Sequence, residues 1–121
     1  MRVLIVDDSR SMRRILGKMM RDLGYTEVAE AAHGAEALAQ LSAAVPEVAL
    51  VDWNMPVMGG KELITEMRRQ RAYDRVKVMV VTSETSPRIV YEALKAGADE
   101  YAMKPLDPAV ISDKLQILGV G

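Results

Sequence analysis

Apolar and polar positions along this chain alternate between two spacings. Five short runs are dense in apolar residues: "VLIV" (Val3 to Val6), "EVAEA" (Glu27 to Ala31), "VALV" (Val48 to Val51), "VMVV" (Val78 to Val81) and "EYAM" (Glu100 to Met103). Runs this short predict strands. Between them the apolar residues recur every three or four positions. In Met12, Ile15, Leu16, Met19, Met20 and Leu23 this is a helical spacing, which Gly24 closes as a C-terminal cap. Further helices are predicted over Gly34 to Ala44, Gly60 to Arg71, Ser86 to Ala96 (closed by Gly97) and Asp107 to Leu118. Ser86-Pro87 and Asp107-Pro108 each put a capping side chain before a proline at the first helical position, where the missing N–H costs nothing.

Five strands, each followed by a helix, predict an α/β fold: a (βα)5 unit with a doubly wound, five-stranded parallel sheet. The first, third and fourth strands are apolar on both faces, as expected of strands covered by helices on two sides. Right-handed crossovers leave few topologies, of which the order 2-1-3-4-5 is a common one. Its first and third strands are neighbours at the switch point, and ligands of open α/β sheets bind there, outside the carboxyl ends of the strands.

The residues at those ends carry the candidate chemistry. Asp7 and Asp8 follow the first strand, Asp52 the third, Thr82 ends the fourth, and Lys104-Pro105 follows the fifth. Four strand ends thus deliver three carboxylates, a hydroxyl and an ammonium to one edge of the sheet. Carboxylates gathered within about 5 Å repel by roughly 3 kcal/mol per pair at an effective dielectric of about 20. A hard divalent cation removes that cost, and an all-oxygen donor set suits Mg2+ better than zinc. Beside such an ion one carboxylate can act as a nucleophile toward phosphorus, with Lys104 and Thr82 binding the oxygens of the incoming group. Asp52, alone at the centre of the sheet, is the candidate acceptor, and the Asp7–Asp8 pair suits the metal.

Composition narrows the classes further. The 121 residues fit one domain, expected to span 1–121, with half of them apolar and about a quarter charged. With 16 Lys and Arg against 17 Asp and Glu, there is no basic field for nucleic acid or anionic lipid. The absence of cysteine excludes disulfides and thiolate metal sites. "MRVLIVDDSR" is far too short in apolar residues for a signal peptide or a membrane span, so a cytoplasmic location is expected. Nine Met and no Phe mark a core filled by flexible side chains. His33, the only histidine, is expected to be solvated. Trp53 is expected to report on the site, and Met58, Gly59 and Gly60 to shape the loop after it.

From "LIVDDSRSMRRIL" through "DWNMPVMGG" and "VVTSE" to "AGADEYAMKP", the sequence resembles the receiver domains of two-component response regulators, and among them the CheY-like chemotaxis type. The spacings from Asp8 to Asp52, Asp52 to Thr82 and Thr82 to Lys104 agree with that family. The resemblance implies a flavodoxin-like fold and a cytoplasmic phosphorelay protein that takes a phosphoryl group from a sensor histidine kinase onto Asp52 and loses it by hydrolysis. Such a protein is not a conventional enzyme, since it catalyses only its own phosphorylation and dephosphorylation. By the same resemblance Mg2+ would be held by Asp8 directly, Asp7 largely through water, Asp52, and the backbone carbonyl of Asn54. Lys104 would pair with the phosphoryl group, and Lys104-Pro105 would be a cis peptide. Thr82 and Tyr101 would form a switch pair.

The implied partner-binding face is the fourth helix, fifth strand and fifth helix, with Val90, Tyr101, Met103 and Lys114 on or near it. A flagellar motor switch protein is the kind of target implied, and the protein would be a monomer or a phosphorylation-dependent dimer. Ser9 and Ser86-Pro87 depart from the best-known chemotaxis regulator, which has a phenylalanine and a lysine pair there. Asn54 and Glu84 match the chemotaxis type and imply a short-lived phosphoryl group.

A haloacid-dehalogenase-type phosphohydrolase also uses Asp and Mg2+, but it expects a second acid where Asn54 stands. Nucleotide-binding glycine motifs are absent. Within the family the alternative is the receiver of a longer regulator with a DNA-binding or cyclase output. Because "ILGVG" directly follows the fifth helix, a free-standing receiver is the expectation.

Overall fold

The computed structural model describes residues 1–56, 58–84 and 86–120. Strands and helices alternate through it as β1 (Arg2–Val6), α1 (Arg10–Asp22), β2 (Glu27–Ala31), α2 (Gly34–Ala43), β3 (Val48–Asp52), α3 (Gly60–Arg69), β4 (Lys77–Thr82), α4 (Pro87–Ala96), β5 (Glu100–Met103) and α5 (Pro108–Ile117). All strand pairs are parallel and the order is β2-β1-β3-β4-β5. The expected flavodoxin-like topology is the one observed. Among the described residues no helix is long and apolar enough to cross a membrane.

Side-chain alternation splits the core in two. Leu4, Val6, Ala49, Val51, Val78 and Val80 face α2, α3 and α4, packing on Leu41, Leu63, Ile64, Met67 and Ala93. Val3, Ile5, Val48, Leu50, Met79 and Val81 face the other way, onto Leu16 and Met20 of α1 and Ile111 and Leu115 of α5. Burying both faces of the central strands fixes their register, because a one-residue slip would exchange the two cores. Asp7 and Asp52 continue the parity of the α1/α5 face, while Thr82 continues that of the α2–α4 face.

The expected punctuation holds in detail. Ser86 Oγ accepts from the Arg88 N–H at 3.3 Å, and Asp107 Oδ1 accepts from the Ala109 N–H at 2.9 Å, each ahead of its proline. Gly97 caps α4 in the left-handed region at φ +119°, where an added Cβ would also lie 2.5 Å from the Arg68 side chain. One boundary differs from the expectation by more than a residue. The helix predicted to run to Arg71 stops at Arg69, Gln70 turns extended (φ −109°, ψ 116°), and a separate 3-10 turn covers Arg71–Tyr73.

Arg68 braces the chain across that break. Its guanidinium donates to the carbonyls of Gly97 (3.0 Å), Tyr73 (2.9 Å) and Val76 (2.9 Å) and to Asp99 Oδ2 (3.0 Å), which also accepts from the Val78 N–H at 2.9 Å. One side chain therefore ties the end of α3 to the approach to β4 and to the α4–β5 turn. Removing it takes a charged donor from three carbonyls and a carboxylate, and hydrogen bonds to charged groups contribute about 1.5–3 kcal/mol each where they are buried. Arg68→Ala should lower the unfolding free energy in urea by roughly 2–4 kcal/mol. A loss within the scatter of surface substitutions would show that water replaces the guanidinium without cost.

Candidate functional site

The parallel ladder continues past the strand ends and so fixes the loops that leave them. The N–H of Asp7 donates to the Ala31 carbonyl (3.1 Å), that of Trp53 to Val81 (3.2 Å), and that of Lys104 to Thr82 (2.8 Å). Each functional side chain therefore projects from backbone already held by the sheet. Gly60 brings α3 close in behind: its N–H donates to the Trp53 carbonyl at 3.1 Å, and an added Cβ there would lie 2.8 Å from the Asp52 carbonyl oxygen.

The strand ends bring together the residues singled out from the sequence. Asp7, Asp8 and Asp52 each offer a carboxylate oxygen, and these atoms lie within 4.8 Å of one another. Asp7 and Asp52 are buried and Asp8 is exposed. The Lys104 Nζ reaches into the cluster, 3.3 Å from Asp7 Oδ2 and 3.6 Å from Asp52 Oδ1, and the Lys104–Pro105 bond is cis. The Ser9 N–H donates to Asp7 Oδ1 at 2.8 Å, while Ser9 Oγ accepts from the Met12 N–H at 3.2 Å as the N-cap of α1. Thr82 is buried, and its hydroxyl oxygen accepts from the Glu84 N–H at 3.1 Å. Asn54 lies at the exposed rim, its side-chain amide donating to Glu84 Oε1 at 3.3 Å.

The charges do not balance. One ammonium faces three carboxylates, and Asp52 carries the consequence: its pKa rises from 3.8 to about 6. Desolvation is the largest cause, followed by repulsion from Asp7; Lys104 and a backbone hydrogen bond from Asn54 oppose them, and Asp8 adds a smaller upward push. A hard divalent cation fits this donor set, which is all oxygen, carries excess negative charge and is open to water on the Asp8 side.

The expected switch residues lie on the neighbouring edge. In the β4–β5 register Thr82 stands opposite Met103 and Val80 opposite Tyr101, so Thr82 and Tyr101 belong to the same face of the sheet. Tyr101 and Met103 are 38% and 46% exposed, so neither is a core residue, and Val90 is half-buried outside both core clusters. Lys114 bridges to Glu100 at 3.1 Å and lies over the Tyr101 ring, 4.8 Å from its centre. A recess of about 280 Å³ opens between β5 and α5, with Tyr101, Met103, Val110 and Lys114 in its wall.

Two residues have roles that the sequence reading missed. His33, expected to be solvated, is the N-cap of α2: its Nδ1 accepts from the Glu36 N–H at 3.3 Å. Arg13 donates to the Asp7 carbonyl at 2.7 Å and to Glu30 at 3.1 Å. The signal for Arg13 was present as a basic residue near the start of α1, where the helix dipole favours acids.

Comparisons with known proteins agree with this arrangement. A family model described as "Response regulator receiver domain" matches residues 3–116. The Helicobacter pylori chemotaxis protein CheY1 is 40% identical over 119 residues, covering 98% of this chain and 96% of that protein. The Campylobacter jejuni chemotaxis protein CheY homolog is 42% identical over 100% of this chain and 95% of its own length. Among solved structures, the chemotaxis protein CheY4 of Vibrio cholerae superposes with a TM-score of 0.90 at 39% identity, with 97% of each chain covered. With the family's strand order and an acidic cluster at its switch point, this chain belongs to the response regulator receiver domain family.

Proposed function

We propose that Asp52 is the phosphoacceptor of a CheY-like regulator, and that phosphorylation there controls what binds the α4–β5–α5 face. The observation that carries this reading is the charge imbalance at Asp52, a buried carboxylate beside two other acids and one ammonium. The site can receive both a cation and the oxygens of a phosphoryl group.

The transfer forms a bond between an Asp52 carboxylate oxygen and phosphorus and breaks the bond from phosphorus to the imidazole nitrogen of the kinase's phosphohistidine. Asp8, Asp52 and the Asn54 carbonyl would hold Mg2+, with Asp7 acting through water. Bound there, the ion supplies positive charge against the carboxylates and the phosphoryl oxygens. Lys104, already within 3.6 Å of Asp52, pairs with a transferred oxygen. Thr82 accepts from the Glu84 N–H, so its own hydroxyl proton is free to be donated to another. Attack by water on phosphorus, with the Asp52 carboxylate leaving, resets the site. The chain thus assists its own phosphorylation and hydrolysis without turning over a separate substrate.

The added charge biases a two-state surface. Thr82 moving toward the phosphoryl group would vacate space beside β5, and Tyr101 would exchange its exposed position for a buried one, releasing its contact with Lys114. The chemotaxis names of the relatives support a chemotaxis role, and the target of this proposal is a protein such as a flagellar motor switch protein. Residues 1–121 form one receiver domain on this reading, acting in the cytoplasm as a monomer or as a phosphorylation-dependent dimer.

Two outcomes follow. Treated with a small acyl phosphate and Mg2+, the protein should gain one phosphoryl group by intact mass, mapped to Asp52, and Asp52→Asn should gain none there. The modification should decay within minutes, so a half-life of hours would contradict the role given to Asn54 and Glu84. The second outcome concerns pH. A carboxyl whose folded pKa of about 6 exceeds its unfolded value of 3.8 binds its proton more tightly when folded. Its contribution to stability is therefore present below pH 3.8 and is lost as pH rises through about 6. Without metal, wild type should lose roughly 2–3 kcal/mol from this group across that window, and Asp52→Asn should be the more stable protein at pH 7. Urea unfolding at several pH values tests this, and parallel profiles for the two proteins would contradict it.

A further inference from the structure

The basic residues of α1 stand at the unfavourable end of their helix. Arg10, Arg13 and Arg14 occupy its start and the first turn contains no acid, whereas a helix N-terminus favours negative charge. For Arg13 the compensation is visible. Its side chain, 15% exposed, folds back over the turn that leads into the helix. Nη1 donates to the Asp7 carbonyl at 2.7 Å, and Nε donates to Glu30 Oε1 at 3.1 Å. Glu30 lies on β2 and pairs with Ile5 in the register, so the guanidinium bridges the end of β1 to the neighbouring strand.

This bridge completes the restraint of Asp7. Its N–H bonds to the Ala31 carbonyl, its carbonyl accepts from Arg13, Oδ1 accepts from the Ser9 N–H, and Oδ2 accepts from Lys104. Asp8 has nothing comparable: it is exposed, and among the described residues no hydrogen bond or ion pair holds its carboxylate. Its direction is inherited from the backbone on either side, fixed at Asp7 by Arg13 and at Ser9 by the bond back to Asp7.

We infer that Arg13 is a positioning residue of this site: by joining the Asp7 carbonyl to Glu30, it sets the turn that aims the Asp8 carboxylate at a cation shared with Asp7 and Asp52. The inference rests on the function proposed above. Geometry, not charge alone, is what Arg13 contributes. A lysine keeps the positive charge but lacks the planar fork that serves a carbonyl and a carboxylate together.

Mg2+ titration followed by Trp53 fluorescence tests this, alongside urea unfolding in metal-free buffer, in wild type, Arg13→Lys, Arg13→Ala, Glu30→Ala and the double variant Arg13→Ala/Glu30→Ala. Groups that orient a metal ligand typically change affinity by 10–100-fold, so both Arg13 variants should raise the Mg2+ dissociation constant by about tenfold or more. Glu30→Ala should raise it by less, and the double variant should match Arg13→Ala, because both changes break one bridge. A purely structural role would lower the urea midpoint and leave the Mg2+ affinity of the folded protein unchanged, which overturns the inference. Wild-type affinity in Arg13→Lys overturns it too, since charge would then suffice. Should Arg13→Ala fail to fold, Arg13→Lys and Glu30→Ala still decide the matter. No saturable Mg2+ response in wild type would remove the proposed function and this inference with it, whereas a normal wild-type response with unmoved variants removes the inference alone.

Discussion

Three carboxylates held within 4.8 Å of one another, with a single ammonium among them, are the constraint around which the rest of this molecule is arranged. At an effective dielectric of about 20 each pair repels by roughly 3 kcal/mol. Left to itself such a cluster would spread. It does not, because each acid leaves a strand or turn whose backbone is bonded elsewhere: Asp52 is the last residue of β3, and Asp7 is pinned through its N–H, its carbonyl and both carboxylate oxygens. The hydrophobic burial of β1, β3 and β4 on both faces supplies the rigidity that keeps like charges together. The sheet stores an electrostatic demand that a cation can meet.

The same strands carry that demand outward. β4 ends at Thr82, whose carbonyl accepts from the Lys104 N–H, and β5 bears Tyr101 and Met103 on its exposed edge. A change at the acidic cluster therefore has a short mechanical path to the surface: Lys104 lies at one end of it and Tyr101 only three residues earlier on the same strand and its exit loop. Lys114, held by Glu100 and stacked on Tyr101, gives that ring one definite outer position, the starting point of the proposed switch.

Much of this was legible in the sequence because the determining features are local. Apolar runs of strand length, helical spacings between them, and Ser-Pro and Asp-Pro pairs each act over a few residues, and the 2-1-3-4-5 order then brings Asp7, Asp8, Asp52, Thr82 and Lys104 to one edge. What was not legible depends on long-range partners. The early end of α3 is braced by Arg68 bonding to carbonyls as far away as Gly97, whereas periodicity alone carried that helix on to Arg71. His33 became a cap through its ring nitrogen, a use that its residue type does not announce. Arg13 drew no reading from the sequence, and its misfit with the helix dipole gains meaning only with the Asp7 carbonyl beneath it.

The central claim is that Asp52 is a carboxylate held in want of positive charge. The most direct measurement is an NMR titration of the Asp52 side-chain carboxyl carbon, first in metal-free buffer and then with saturating Mg2+. A midpoint near 6 without metal, falling below the ordinary carboxylate range once Mg2+ is added, is the result expected. A midpoint near 3.8 that Mg2+ leaves in place would contradict it, because the acids would then neither burden Asp52 nor share a cation with it.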